Sequence, residues 1–165
     1  MQSPKRKAGQ YAHLKPDPNL TENKYNELKE KLVRLKKIHP QAAAEVKRLA
    51  EMGDFSDNAA YSIAKGRLRG INQRILEMED HLKRAVIIKP TKNTDAVRLG
   101  NSVTIKAIGK QKTYKILGSA ETDPQAGIIS HHSALGSALM GCRVGDKIKI
   151  KTASNEIEYT ITKIE

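Results

Sequence analysis

Sulfur chemistry and large aromatic side chains are almost missing from this chain: it holds one cysteine, one phenylalanine and no tryptophan in 165 residues. The lone Cys142 closes no internal disulfide and stands in no redox or metal motif, so it reads as a small packing residue. No apolar run approaches the roughly 20 residues of a membrane span, and the start lacks the apolar core of a signal peptide. The expectation is a soluble, cytoplasmic protein without membrane contact. Acid is the scarcer charge, with 18 Asp and Glu against 30 Lys and Arg. That balance suits work close to nucleic acid or another polyanion, and it names a class of partner rather than a reaction. A hydrophobic fraction of 38% is low but enough for a core, in one domain or two small ones.

What is present divides the chain in two, behind a short arm. Residues 1–20 contain three prolines, a KRK cluster and no apolar periodicity. They read as a basic flexible arm, either touching phosphates or simply solubilising. Residues 21–88 carry helical patterning. Thr21 is placed as an N-cap, and Tyr25, Leu28, Leu32 and Leu35 recur at spacings of three and four. Pro40 is expected to interrupt or kink that helix, after which Val46 and Leu49 resume the stripe until Gly53 stops it. Beyond the turn, Ala64, Leu68, Ile71, Ile75, Met78 and Leu82 form a second stripe of coiled-coil spacing. Two such stripes joined by a short turn imply an antiparallel hairpin whose second arm reaches about 40 Å at 1.5 Å per residue.

Residues 89–165 change period. The stretches VRLGNSVTIKAIG, KTYKILG, GDKIKIKT and EIEYTITKIE alternate as half-buried strands do, and SALGSALMG reads as a short helix among them. The fold class is therefore α+β: a helical hairpin, then a small domain with a twisted, mostly antiparallel sheet. His131 and His132 are adjacent, with no Cys, Asp or Glu at a ligand spacing, which argues against a zinc site.

The turn of the hairpin, GDFSDNAAYSIAKGRLRG, holds more than a connection needs. Gly53, Ser56 and Asn58 would suffice to turn the chain, yet Asp54, Asp57 and the only phenylalanine, Phe55, stand among them. With the later run ISHHSALGSALMGCRVGD, this turn resembles the bacterial Gre transcript-cleavage factors. The likeness covers nearly everything after residue 20. In that family the turn reads approximately GD-x-S-E-N-A-E-Y and the later signature approximately I-S-x-x-S-P-L-G-R-A-L-x-G-x-x-V-G-D. The run YSIAKGRLRGINQRI and the basic arm look closer to the GreB branch than to GreA.

The resemblance implies an FKBP-like second domain that docks on RNA polymerase, with Ser133, Leu135, Gly136, Leu139, Gly145 and Asp146 on the matching signature. It implies a coiled coil entering the polymerase's secondary channel, where the acidic tip helps hold a shared Mg²⁺ and water while the polymerase cleaves backtracked RNA. Asp54 and Asp57 would be the metal-holding pair. Phe55, Ser56, Asn58 and Tyr61 would make tip contacts, although Phe55 could equally lean back on the apolar seam. Some of Lys65, Arg67, Arg69 and Arg74 would hold the extruded RNA, and DNA is a further candidate partner.

Physical chemistry is consistent with that assignment. Mg²⁺ prefers near-octahedral oxygen ligation, so two loop carboxylates can complete a site but not build one, and the free protein should show no nuclease activity. Asp57 or Asn58 could instead cap the second helix. Two departures bear on cleavage: Asp57 stands where the family has glutamate, and Ala60 replaces an acidic residue. A channel-occupying regulator that stimulates no cleavage is thus the second reading. A prolyl isomerase, suggested by fold alone, is discounted because residues 91–165 hold only Tyr114 and Tyr159 as aromatics. The hairpin buries its own stripe, which favours a monomer.

Overall fold

The computed structural model describes residues 15–52, 59–89, 94–151 and 156–165. Helix α1 spans Glu22–Glu51 and helix α2 spans Ala59–Arg84. Thr21 caps α1 as its sequence position predicts, its Oγ1 accepting from the Lys24 amide at 3.2 Å. Pro40 does not end the helix: α1 runs through it as one element. The ring is exposed, so water can meet the Lys36 carbonyl that proline leaves without a donor.

The two apolar stripes face each other. Ala42, Ala64 and Ile71 are buried in the seam, at 6%, 5% and 5% exposure. Tyr25, Leu28, Leu32, Leu35, Leu68, Ile75, Met78 and Leu82 remain half-buried. Half-burial is what two helices without a third layer can achieve. Lys36 to Glu79 at 2.6 Å and Arg67 to Glu45 at 3.8 Å cross from arm to arm in antiparallel register. Such exposed pairs fix register more than stability, at about 0–1 kcal/mol each.

At the base of the hairpin the chain before α1 is built into the fold. Strand β1, Asn19–Leu20, pairs in parallel with β2, Val86–Ile87. The Val86 amide donates to Pro18 O and the Ile88 amide to Leu20 O, both at 2.8 Å, and Leu20 is fully buried. Residues 17–20, which composition alone assigns to a flexible arm, therefore form a strap across the base.

The second domain is a five-stranded sheet in the order β5-β4-β3-β7-β6. Its strands are β3 Ser102–Ala107, β4 Lys110–Leu117, β5 Ile128–Ser130, β6 Lys147–Lys151 and β7 Glu156–Ile164. Only β4 and β5 pair in parallel. Helix α3, Ala134–Leu139, packs its Leu139 into a core with Val103, Ile105, Ile116 and Ile161. The architecture is the expected α+β hairpin and sheet domain, with two differences from the sequence pattern. Val97 to Gly100 is not strand but a loop that buries Val97, and the three-residue β5 was not anticipated.

Candidate functional site

The predicted metal pair, Asp54 and Asp57, lies outside the described residues, as do Phe55, Ser56 and Asn58. The described arms end at Met52 and resume at Ala59, and α2 is about 39 Å long for its 26 residues. Ala60 is exposed in the first turn of α2, and that turn carries no acidic residue. Tyr61 is half-buried in the same turn, with Lys65 Nζ 5.7 Å from its ring centroid.

The four basic residues divide into two pairs on opposite flanks of the α2 seam, as helical spacing requires. Lys65 and Arg69 line one cleft with Ser62 and Asn72. Arg67 lies on the other flank, engaged with Glu45 of α1, and Arg74 follows it two turns later. All four are exposed. Of the four, Lys65 and Arg69 share the cleft and are the better placed to act together on one phosphate-bearing strand.

The signature residues of the second domain prove to be mostly architectural. Ser133 caps α3: its Oγ accepts from the Gly136 amide at 3.0 Å and donates to Ser130 O at 2.7 Å. Gly136 lies so close to β5 that a Cβ there would sit 2.1 Å from Ser130 O. Leu139 has no exposed surface. Neither Gly136 nor Leu139 presents a side chain at the surface. Leu135 is half-buried against the core. Gly145 takes φ +94°, and Asp146 Oδ2 accepts from the Arg143 amide at 2.7 Å, so these two close the turn into β6. Ser133 and Leu135 are half-buried and Asp146 is exposed.

Sequence spacing does not reveal the junction between the two domains, where the strap meets the sheet. Asp17 is central there: Oδ1 accepts from the Asn19 amide at 3.0 Å and from Asn19 Nδ2 at 2.9 Å, and Oδ2 accepts from the Ser119 amide at 2.8 Å. Burial alone would raise its pKa, but the bonds from Asn19 and Ser119, with a contribution from nearby His131, outweigh burial and hold the carboxyl below its ordinary value. His81, buried near the end of α2, places Nε2 2.9 Å from Asp17 O. The only early signal was an acidic residue between two prolines ahead of an N-cap.

The comparisons with known proteins agree with this arrangement. Residues 19–87 match the family "Transcription elongation factor, N-terminal", and residues 91–165 match "Transcription elongation factor, GreA/GreB, C-term". The chain belongs to the GreA/GreB family of transcription elongation factors. It is 38% identical over 156 residues to transcription elongation factor GreA of Sphingopyxis alaskensis, covering 93% of this chain and 98% of that one. Against transcription elongation factor GreA of Nitratiruptor sp. it is 34% identical over 148 residues, covering 88% and 91%. The crystal structure of GreA factor homolog 1 of Thermus thermophilus is 28% identical, covering 88% of this chain and 97% of that one, with a TM-score of 0.41. These relatives carry the GreA name, so they give the expected GreB affinity no support. Among the described residues no helix is long and apolar enough to cross a membrane.

Proposed function

We propose that this Gre-family chain binds RNA polymerase through its sheet domain, passes its hairpin down the secondary channel, and stimulates the polymerase's own Mg²⁺-dependent cleavage of backtracked nascent RNA. The observation that carries this reading is a thin, two-helix arm anchored at its base to a separate domain; the sequence supports it with two aspartates, Asp54 and Asp57, between the two helices. The protein is no nuclease by itself: Asp54 and Asp57 supply oxygen ligands to a Mg²⁺ whose remaining ligands belong to the polymerase and the RNA. It acts as a monomer in the cytoplasm beside the polymerase. Lys65 and Arg69 attract the phosphates of the extruded RNA, an attraction that weakens with salt.

A second reading is favoured by one feature, the absence of an acidic residue from the first turn of α2, where Ala60 stands. On that reading the chain occupies the channel without promoting cleavage. The test is reach. Removing one heptad from each arm shortens the hairpin by about 10 Å. The cleavage reading expects the shortened protein to bind polymerase as the full chain does and to lose stimulation of RNA cleavage in a backtracked complex. Full-length protein that binds without stimulating would establish the second reading instead.

A further inference from the structure

We propose that Asp17, His131 and His132 form a binding site for an imidazole-preferring divalent metal ion of the zinc class, which clasps the strap onto the loop before α3. One ligand atom from each of the three residues lies within 4.8 Å of the others. His131 Nδ1 stands 3.5 Å from Asp17 Oδ2. Two ligand atoms about a tetrahedral ion with bonds of about 2.1 Å are separated by about 3.4 Å, so this pair is already spaced to share one.

The two imidazoles are brought together by a turn. Successive side chains of a strand leave on opposite faces, but residues 131 and 132 follow the end of β5 in a turn that stacks their rings at 3.9 Å between centroids, tilted by 38°. His132 is exposed, whereas the Asp17 side chain is only 3% exposed. Asn19, donating twice to Oδ1, and the Ser119 amide, donating to Oδ2 at 2.8 Å, orient the carboxylate with the outer-shell support that metal-binding carboxylates receive, and Oδ2 keeps a second lone pair for the His131 side. Two neutral imidazoles, one carboxylate and a water would complete a four-coordinate shell suited to zinc, nickel or copper rather than magnesium.

A simple hydrogen-bonded pair explains less of this. If His131 Nδ1–H served only Leu117 O and Asp17, its contacts of 3.3 and 3.5 Å would both be long against an ordinary length near 2.9 Å. That account also gives His132 no part. Dependence on His132 therefore separates the two.

The experiment uses tag-free full-length protein stripped of metal by chelation, titrated with Zn²⁺ by calorimetry and with Co²⁺ by visible absorption. His132→Ala is the test variant, because its exposed side chain is not needed to fold, and His39→Ala on the hairpin is the control. The wild type and the control should bind one equivalent, with the intense absorption of four-coordinate Co²⁺ and a raised melting midpoint. His132→Ala should lose roughly tenfold or more in affinity. No binding by the wild type, or equal binding by His132→Ala, would overturn the proposal.

Discussion

Glu121 of the sheet domain holds Thr21, the residue that starts the hairpin, with both carboxylate oxygens: Oε1 accepts from the Thr21 amide at 2.7 Å and Oε2 from Thr21 Oγ1 at 2.6 Å. The same Oγ1 accepts from the Lys24 amide, so one threonine caps α1 and ties it to the neighbouring domain. The carboxylate also lies at the positive end of the α1 dipole, where negative charge is favoured. On the proposed function the hairpin works by reach, so the angle at its base matters as much as its length.

Glu121→Ala should therefore cost about 2 kcal/mol, and Glu121→Gln, which keeps one acceptor, about 1 kcal/mol. Urea denaturation gives both values. Faster hydrogen exchange at the Thr21 and Lys24 amides would place the loss at the cap.

Two glycines are required by close approach rather than by turn geometry. A Cβ at Gly118 would sit 1.9 Å from Asn19 O, and one at Gly136 2.1 Å from Ser130 O. Alanine at either position should destabilise by about 2–3 kcal/mol. The two differ in place: Gly118→Ala should speed exchange of the Val86 and Ile88 amides, which bond to the strap, and Gly136→Ala should leave them protected.

Acid should loosen the strap before it unfolds the sheet. The Asp17 carboxyl is held below its ordinary value in the folded protein. A depressed folded value means the carboxylate contributes fully above the unfolded value of 3.8 and loses that contribution as pH falls through the folded one. Glu27, lowered to about 2 by Lys24 and Lys31, titrates in the same region, so the comparison must be with Asp17→Asn. The difference in stability between wild type and Asp17→Asn should be constant from neutral pH to about 4 and shrink below it. A difference unchanged down to the acid limit would contradict the assignment.

The β3–β4 turn carries avoidable strain. Ile108 has φ +47° and Gly109 φ +74°, the signs of a two-residue hairpin turn that favours Asn-Gly. A β-branched residue pays for this conformation, and Ile108 is 88% exposed, so no packing repays it. Ile108→Asn should stabilise the protein by about 1 kcal/mol in thermal or urea melts.

The seam of the hairpin was legible because helical periodicity is local: every position from Ala64 to Leu82 assigned to it is buried or half-buried. Pro40 interrupts the hydrogen-bond ladder as its chemistry requires, but it does not end the helix, because an exposed proline in a helix held by its partner costs one hydrogen bond that water replaces. Strands β1, β2 and β5, two or three residues long, fall below any window in which alternation can be seen. The signature from Ser133 to Asp146 could be recognised without its reasons, and most of those reasons are a helix cap, a close approach and a turn. Asp17 and His131 are more than a hundred residues apart, and only the sheet's topology brings them together. That is why sequence spacing argued against a metal ligand set at the two histidines.

The central claim is that Asp54 and Asp57 serve a metal inside polymerase. It is tested most directly by RNA cleavage in a defined backtracked complex with Mg²⁺ and the cognate polymerase, comparing wild type with the Asp54→Asn, Asp57→Asn double variant and each protein alone. The account predicts strong stimulation by the wild type, none by the double variant at equal polymerase binding, and no cleavage without polymerase. Equal stimulation by both proteins would contradict it.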